Sequence, residues 1–294
     1  MEHVIHIDHP PRLPPRERDG HKGTYGKVLV VAGSRGLSGA AVLCGRAALR
    51  GGAGLVQVAT PANVQDVVAI GCPCYTTFGI RMHTDGTFAE GAWADLVELG
   101  RAADVVAVGP GLGRHPCVTA TVRAILTALP DTPIVLDADA LNALAPLADD
   151  FKNRPAPLVF TPHPGEFARL TGQPVPSADE RESQAVGFAR RVGGVLLLKG
   201  AGTVVTDGTR VYRNATGNPG MATGGSGDVL TGLIAALIGQ GLSPFDAAAL
   251  GAWVHGRAGD LAADALGQTS LTATDLLEYI PVVFRELETS NSAE

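Results

Sequence analysis

The sequence predicts an α/β fold with a mostly parallel central sheet, helices on both faces and a C-terminal helical cluster. Three observations lead there. Short apolar runs rich in β-branched residues alternate with segments of helical periodicity from residue 27 to residue 200, the pattern of strands joined by crossover helices. The runs are continuously apolar rather than alternating, as strands buried on both faces require. Beyond residue 226 the periodicity is almost entirely helical.

Each element is justified locally. "KVLVVAG" (27–33) reads as the first buried strand, and "SGAAVLCGRAALRGGAG" (38–54) as a helix of small and apolar residues that stops at glycines. "LVQVATP" (55–61) is the next strand, 62–71 a helix and 74–80 a further strand. Helix 89–101, strand "DVVAVG" (104–109), helix 116–129, strand "PIVLDA" (133–138) and helix 139–147 follow. Strand 157–161, two helices within 164–193 and strand "GVLLLKG" (194–200) complete the parallel set. "TVVTDGTRVYRN" (203–214) reads as a hairpin turning at Asp207-Gly208. Helices are expected over 226–240, 244–264 and 272–279. No linker divides the chain, so residues 24–286 read as one domain, with an N-terminal arm over 1–23 and a frayed tail over 287–294.

Composition sets bounds on the function. The chain has 294 residues, 45% hydrophobic and 18% charged, with a net charge of −6. This is ample material for a large core and argues against a nucleic-acid footprint. No apolar run approaches the ~18–20 residues of a membrane span, and the N-terminus lacks the pattern of a signal peptide. Cys44, Cys72, Cys74 and Cys117 form no CxxC or zinc spacing and read as reduced thiols in a cytoplasmic protein. His3, His6 and His9 lie among prolines that preclude a regular helix, so a metal site is not expected there.

Ligands of open α/β sheets bind beyond the carboxyl ends of the strands. Those ends deliver "GSRGLSGA", "GPGLG", "DADALN", "TPHPGE" and "KGAGT", a concentration of glycine and polar groups at one edge. His163 stands between two prolines, which restrict the backbone around it. Lys199 ends an apolar strand, where its charge can meet phosphate. Gly224, Gly225, Ser226 and Gly227 precede an apolar helix, so their backbone N–H groups and the helix dipole form an anion hole. Asp228 stands inside that hole, where a purely binding loop would avoid a carboxylate. It reads as a general base that takes a proton from a substrate hydroxyl while the amides hold a phosphoryl group. The alternative for Asp228 is a first-turn helix residue stabilised by the dipole.

"TGNPGMATGGSGDVLTG" (216–232) closely resembles the signature of ADP-dependent NAD(P)H-hydrate dehydratases, in the ribokinase-like superfamily. "KGTYGKVLVVAGSRGLSGAA", "ALRGGAGLV", "GPGLG", "VLDADALNAL", "TPHPGEFARL" and "LLKGAGTVV" fall in that family's order. The resemblance implies a three-layer fold and repair of damaged nicotinamide cofactor. The S form of hydrated NADH or NADPH would lose water while ADP becomes AMP and phosphate, through a transient phosphorylated hydrate. By motif, Asp228 is the implied base; Lys199, Gly200, Ala201, Gly202, Thr203 and Gly227 would contact the adenine nucleotide. Ala40, Gly111, Gly113, His163 and Asp228 would contact the hydrated cofactor. The resemblance further implies Mg²⁺, a homo-oligomer (a homotetramer) and a separate epimerase in the same pathway, since too few residues precede Lys27 for a fused one. Two other readings remain open on the residues: a small-molecule kinase with the same loop and aspartate, and a catalytically idle nucleotide sensor.

Overall fold

The structure, a computed structural model, describes residues 4–147, 151 and 153–291. Ten strands form one sheet: β1 (Ile5–Ile7), β2 (Lys27–Val31), β3 (Leu55–Pro61), β4 (Thr76–Ile80), β5 (Val105–Val108), β6 (Ile134–Leu136), β7 (Leu158–Phe160), β8 (Val195–Leu198), β9 (Val204–Thr206) and β10 (Arg210–Arg213). Their spatial order is β1-β10-β9-β8-β7-β6-β5-β2-β3-β4. Only the pairings of β9 with β8 and β10 are antiparallel. The helices are α1 (Ser38–Arg50), α2 (Gln65–Gly71), α3 (Trp93–Arg101), α4 (Pro116–Ala128), α5 (Ala138–Leu144), α6 (Pro164–Thr171), α7 (Arg181–Val192), α8 (Ser226–Gly239), α9 (Pro244–Leu266) and α10 (Ala273–Asn291).

The period-2 geometry of strands explains why the apolar runs are continuous. Val28, Val30, Val105, Ala107 and Val135 point into one core, shared with residues of α1, α8, α9 and α10. Leu29, Val31, Val106, Val108 and Leu136 point into the opposite core, with residues of α3 to α7. These two cores and the sheet between them are the expected three layers.

Two segments depart from the sequence reading. The arm, which shows no periodicity, supplies β1, which pairs in parallel with β10 through Ile5, His6 and Ile7. Three residues are too few for a pattern to register. The last helix, expected to stop at 279, continues through Pro281 to Asn291. Leu276, Leu277, Ile280 and Val283 are fully buried at helical spacing, so packing carries the helix past the proline that marks a stop in sequence. Residues 287–291 of the expected tail are therefore helical, and 292–294 lie outside the described residues. His3 likewise lies outside them.

Two features of the scaffold position the site. The strand order reverses between β2 and β5, and this switch point opens a crevice above the two carboxyl ends. Second, α8 lies centrally against α1. A Cβ on Gly232 would stand 2.0 Å from the Cys44 carbonyl oxygen, so only glycine permits this approach. Gly232→Ala must push α8 off α1, and we expect it to destabilise the protein by about 1–3 kcal/mol, the usual range for overpacking. A urea midpoint equal to wild type would contradict this.

Candidate active site

The five glycine-rich or polar strand ends and the start of α8 converge at one edge. Gly33, after β2, donates from its N–H to the Pro110 carbonyl at 2.8 Å, and the Ser34 hydroxyl donates to the Gly111 carbonyl at 2.8 Å. Gly111 has φ +64, and a Cβ there would lie 3.0 Å from the Ala40 methyl group. Ala40 and Gly111, both expected to touch the hydrated cofactor, thus stand together at the switch point. Gly113 (φ +80) belongs to the same loop, and its N–H donates to Asp139 Oδ2 at 2.9 Å.

The end of β6 delivers two carboxylates in opposite directions. Asp137 and Asp139 flank Ala138, whose φ of +47 lies in the left-handed region that side chains other than glycine avoid. Asp139 turns toward Gly113. Asp137, fully buried, accepts from the Lys199 ammonium at 2.8 Å and from the Thr231 hydroxyl of α8 at 2.8 Å. Glu166 Oε2 stands 3.9 Å from the same ammonium. Burial alone would lower the Lys199 pKa, but Asp137 and Glu166 outweigh it, and the pKa is raised above the ordinary lysine value. A Cβ on Gly227 would lie 3.1 Å from Lys199 Nζ, so the lysine reaches the mouth of α8.

At that mouth the expected donor Ser226 is not free, because its N–H donates to the Thr223 carbonyl at 3.4 Å. Gly225 takes φ +92 as the residue before α8, and the N–H groups of Gly227 and Asp228 find no protein acceptor among the described residues. Ser226 is buried, and its carbonyl oxygen and hydroxyl lie 2.9 and 3.4 Å from His255 Nε2. Burial pushes His255 down to about 4, against the hydrogen bond to the Ser226 carbonyl and with help from the Lys199 charge. It is therefore neutral near pH 7, with its Nε2–H donated to that carbonyl. Asp228 moves the other way. Burial first, then the Asp137, Asp139 and Glu166 charges against Lys199, raise its pKa to about 7.

His163 owes its orientation to helix capping rather than to its flanking prolines. Its Nδ1 accepts from the N–H groups of Gly165 and Glu166 at 3.0 and 3.4 Å, and Glu166 Oε2 accepts in return from the His163 N–H at 2.9 Å. This reciprocal capping box starts α6, and Nε2 lies 3.6 Å from Glu166 Oε1. His163 lines a cavity of about 800 Å³ together with Lys199, Gly200, Ala201, Gly202, Thr203 and Gly227. The six residues expected at the nucleotide thus share one pocket, and His163, expected at the hydrated cofactor, borders the same pocket.

Four contributors were not singled out from sequence. Asp137 and Asp139 sit within the quoted "DADALN", yet nothing in the sequence says which way each carboxylate turns. Arg181 of α7 donates to the carbonyls of Leu198, Lys199 and Ala201 at 3.1, 2.9 and 3.4 Å, fixing the "KGAGT" loop from behind. His255 lies thirty residues downstream of Gly225 in an otherwise ordinary helix. Among the described residues the only three-ligand cluster for a metal is His83, Asp85 and His115, away from Asp228; all four cysteines are unpaired.

With this geometry in view, the relatives are informative. The description NAD(P)H-hydrate dehydratase matches residues 28–282. The chain belongs to the NAD(P)H-hydrate dehydratase family. It is 50% identical over 280 residues to the bifunctional NAD(P)H-hydrate repair enzyme Nnr of Moorella thermoacetica, covering 94% of this chain and 52% of that one. The Nnr of Thermofilum pendens is 42% identical over 287 residues, covering 96% and 54%. The chain thus spans about half the length of these curated relatives. Among solved structures, the ADP/ATP-dependent NAD(P)H-hydrate dehydratase of Bacillus subtilis, co-crystallised with ATP/Mg²⁺, is 34% identical with a TM-score of 0.82, covering 94% and 95%. Arabidopsis thaliana ribokinase, 15% identical with a TM-score of 0.54 and 87% and 98% covered, shares the fold. This dehydratase-family chain therefore has the ribokinase-like fold.

The raised pKa of Asp228 has a consequence for stability. The native state holds this proton from the ordinary 3.8 up to about 7. Stability contributed by the protonated group is complete below the unfolded value and is lost as pH rises through the folded one. Asp228→Asn removes this loss. The variant's melting temperature should match wild type near pH 4 and pull progressively ahead up to pH 7. A pH-independent difference would contradict the raised pKa.

Proposed function

We propose that the protein dehydrates the S form of hydrated NADH or NADPH, converting ADP to AMP and phosphate. The observation that carries this reading is Asp228 itself, a carboxylate with a pKa of about 7 at an amide-lined helix mouth. It stands between a nucleotide-sized cavity and the Ala40–Gly111 crevice. A sensor has no use for a base in its anion pocket, and a base poised near neutrality is what proton removal from a hydroxyl requires.

In this mechanism the hydrate lies toward Ala40, Gly111 and Gly113, and ADP lies along Lys199, Gly200, Ala201, Gly202 and Thr203, with His163 at the border. Asp228 takes the proton of the ring hydroxyl. The oxygen attacks the terminal phosphorus of ADP as the bond to the AMP oxygen breaks. Gly224, Gly225 and Gly227 offer backbone N–H groups to the transferring phosphoryl oxygens, while the Ser226 N–H is taken by the Thr223 carbonyl. Lys199, kept charged by Asp137, holds the departing phosphate oxygen. The ring nitrogen then expels phosphate, and loss of a proton from the neighbouring carbon restores the reduced ring.

The residues fit a divalent cation. The charges of Asp137, Asp139 and Glu166 all act on Asp228, with Lys199 opposing them, and ADP adds further negative charge. Each Asp137 oxygen takes a side-chain donor at 2.8 Å, whereas Asp139 Oδ1 and Glu166 Oε1 have only more distant neighbours, Asn142 Nδ2 at 3.4 Å and His163 Nε2 at 3.6 Å, so these two oxygens would hold Mg²⁺. One or two carboxylates with substrate phosphates suffice for this ion. Bound there, Mg²⁺ would neutralise phosphate charge.

The same reading puts the enzyme in the cytoplasm, in keeping with four unpaired thiols. Among the described residues no helix is long and apolar enough to cross a membrane. An epimerase would supply the S form. A homo-oligomer, a homotetramer by family resemblance, would cover Val67 and Ile70, which α2 leaves 55% and 85% exposed beside the edge strand β4.

The test is an incubation with hydrated NADH, ADP and Mg²⁺, following cofactor absorbance, AMP and phosphate together. All three should rise in equal amounts. A stable phosphorylated cofactor would instead make the protein a kinase, and consumption of ATP alone would replace the donor. Asp228→Asn should lower turnover by ~10²-fold or more, with the wild-type rate rising through pH 7. Undiminished activity would return Asp228 to a helix-stabilising role.

A further inference from the structure

A second cavity, of about 370 Å³, lies on the far side of α6 from the nucleotide pocket. Gly113, Arg114, Asp139 and Arg169 are among its polar lining, and Val118, Ala143 and Pro146 give it an apolar wall. Its volume is within the range of small-molecule sites. It is continuous with the site already described: Gly113 belongs to the switch-point loop and donates to Asp139, whose charge acts on Asp228.

The two arginines are the informative feature. Arg169 Nε donates to the neutral Asn142 Oδ1 at 2.9 Å, and among the described residues no carboxylate lies within ion-pair distance of its guanidinium. Arg114 is 76% exposed and reaches only Asp139, at 4.0 Å. Around Asp228 the cleft is dominated by carboxylates, and Lys199 is committed to Asp137. Cations with spare donors at the rim of such a cleft suit a second anionic ligand, distinct from ADP. A nicotinamide dinucleotide is such a ligand: it carries a pyrophosphate, and in one form a 2′-phosphate, well away from its reacting ring. Arginine binds phosphate oxygens in a bidentate fork, and the apolar wall suits a flat base.

We propose that this cavity receives the phosphate-bearing adenosine half of the hydrated dinucleotide, with Arg114 and Arg169 holding its phosphate. The inference rests on the dehydratase reading above and adds the residues that distinguish one dinucleotide from another. His163 at the start of α6 then borders the nucleotide, Arg169 in its last turn meets the substrate, and the helix separates the two ligands.

The test uses the full-length protein and the variants Arg114→Gln and Arg169→Gln, with hydrated NADH and hydrated NADPH as alternative substrates. The KM for hydrate should rise about 10-fold for either variant, while kcat, the KM for ADP and the melting temperature stay within about twofold or a degree or two of wild type. A rise confined to hydrated NADPH assigns the arginines to the 2′-phosphate, and an equal rise for both assigns them to the pyrophosphate. Unchanged KM values for both hydrates overturn the proposal while leaving the dehydratase reading intact. Should the wild type show no dehydration, that reading fails on its own. Fluorescence titration with NADPH then decides the cavity: weaker binding by Arg169→Gln supports it, and equal affinity or no wild-type binding overturns it.

Discussion

The carboxylate of Asp137 joins three parts of the chain that are far apart in sequence. It ends β6, holds the Lys199 ammonium at the end of β8 and takes the Thr231 hydroxyl of α8, each at 2.8 Å. Removing one partner of a buried pair costs about 3–5 kcal/mol because the other charge is stranded. The consequence here is also geometric. The lysine and the helix mouth are kept in register, so Gly227, Lys199 and Asp228 meet at one point. Gly232, seated on the Cys44 carbonyl, sets the depth of α8 from the other side.

Charge distribution follows from that arrangement. Three carboxylates surround Asp228, with Lys199 opposing them. Burial and the excess negative charge together raise the proton affinity of Asp228, which suits the proposed role of a base at neutral pH. The same excess discourages anionic substrates unless cations meet them. In the proposed mechanism amides at the α8 mouth and Lys199 do so for the nucleotide, and Arg114 and Arg169 do so for the second ligand. One sheet edge can thus present two anionic molecules to each other.

The layers were legible in the sequence because strand and helix periods differ, and because strands buried on both faces are apolar throughout. The edge chemistry was legible for a related reason: "GPGLG", "KGAGT" and "GGSGD" place glycines where backbone must approach a ligand or take φ > 0, as at Gly111, Gly202 and Gly225. β1 was not legible, since three residues at the sheet margin take their structure from β10. The end of α10 was not either, because the burial of Ile280 and Val283 is a tertiary fact that overrides the local effect of Pro281.

By itself, the sequence determined the order of the main strands and helices, the glycine-rich strand ends at one edge of the sheet, and the carboxylate in the first turn of α8. Tertiary structure alone decided which way each side chain turned and what charge it kept. Asp137 and Asp139 are two residues apart, yet one is sealed against Lys199 while the other faces Gly113, because a left-handed Ala138 splays them. His163 caps α6, and His255, far along α9, supports Ser226. Local sequence encodes backbone preference and periodicity over a few residues. Proton affinity and ligand geometry depend on neighbours brought in by the fold from up to a hundred positions away, and only their packing sets those distances.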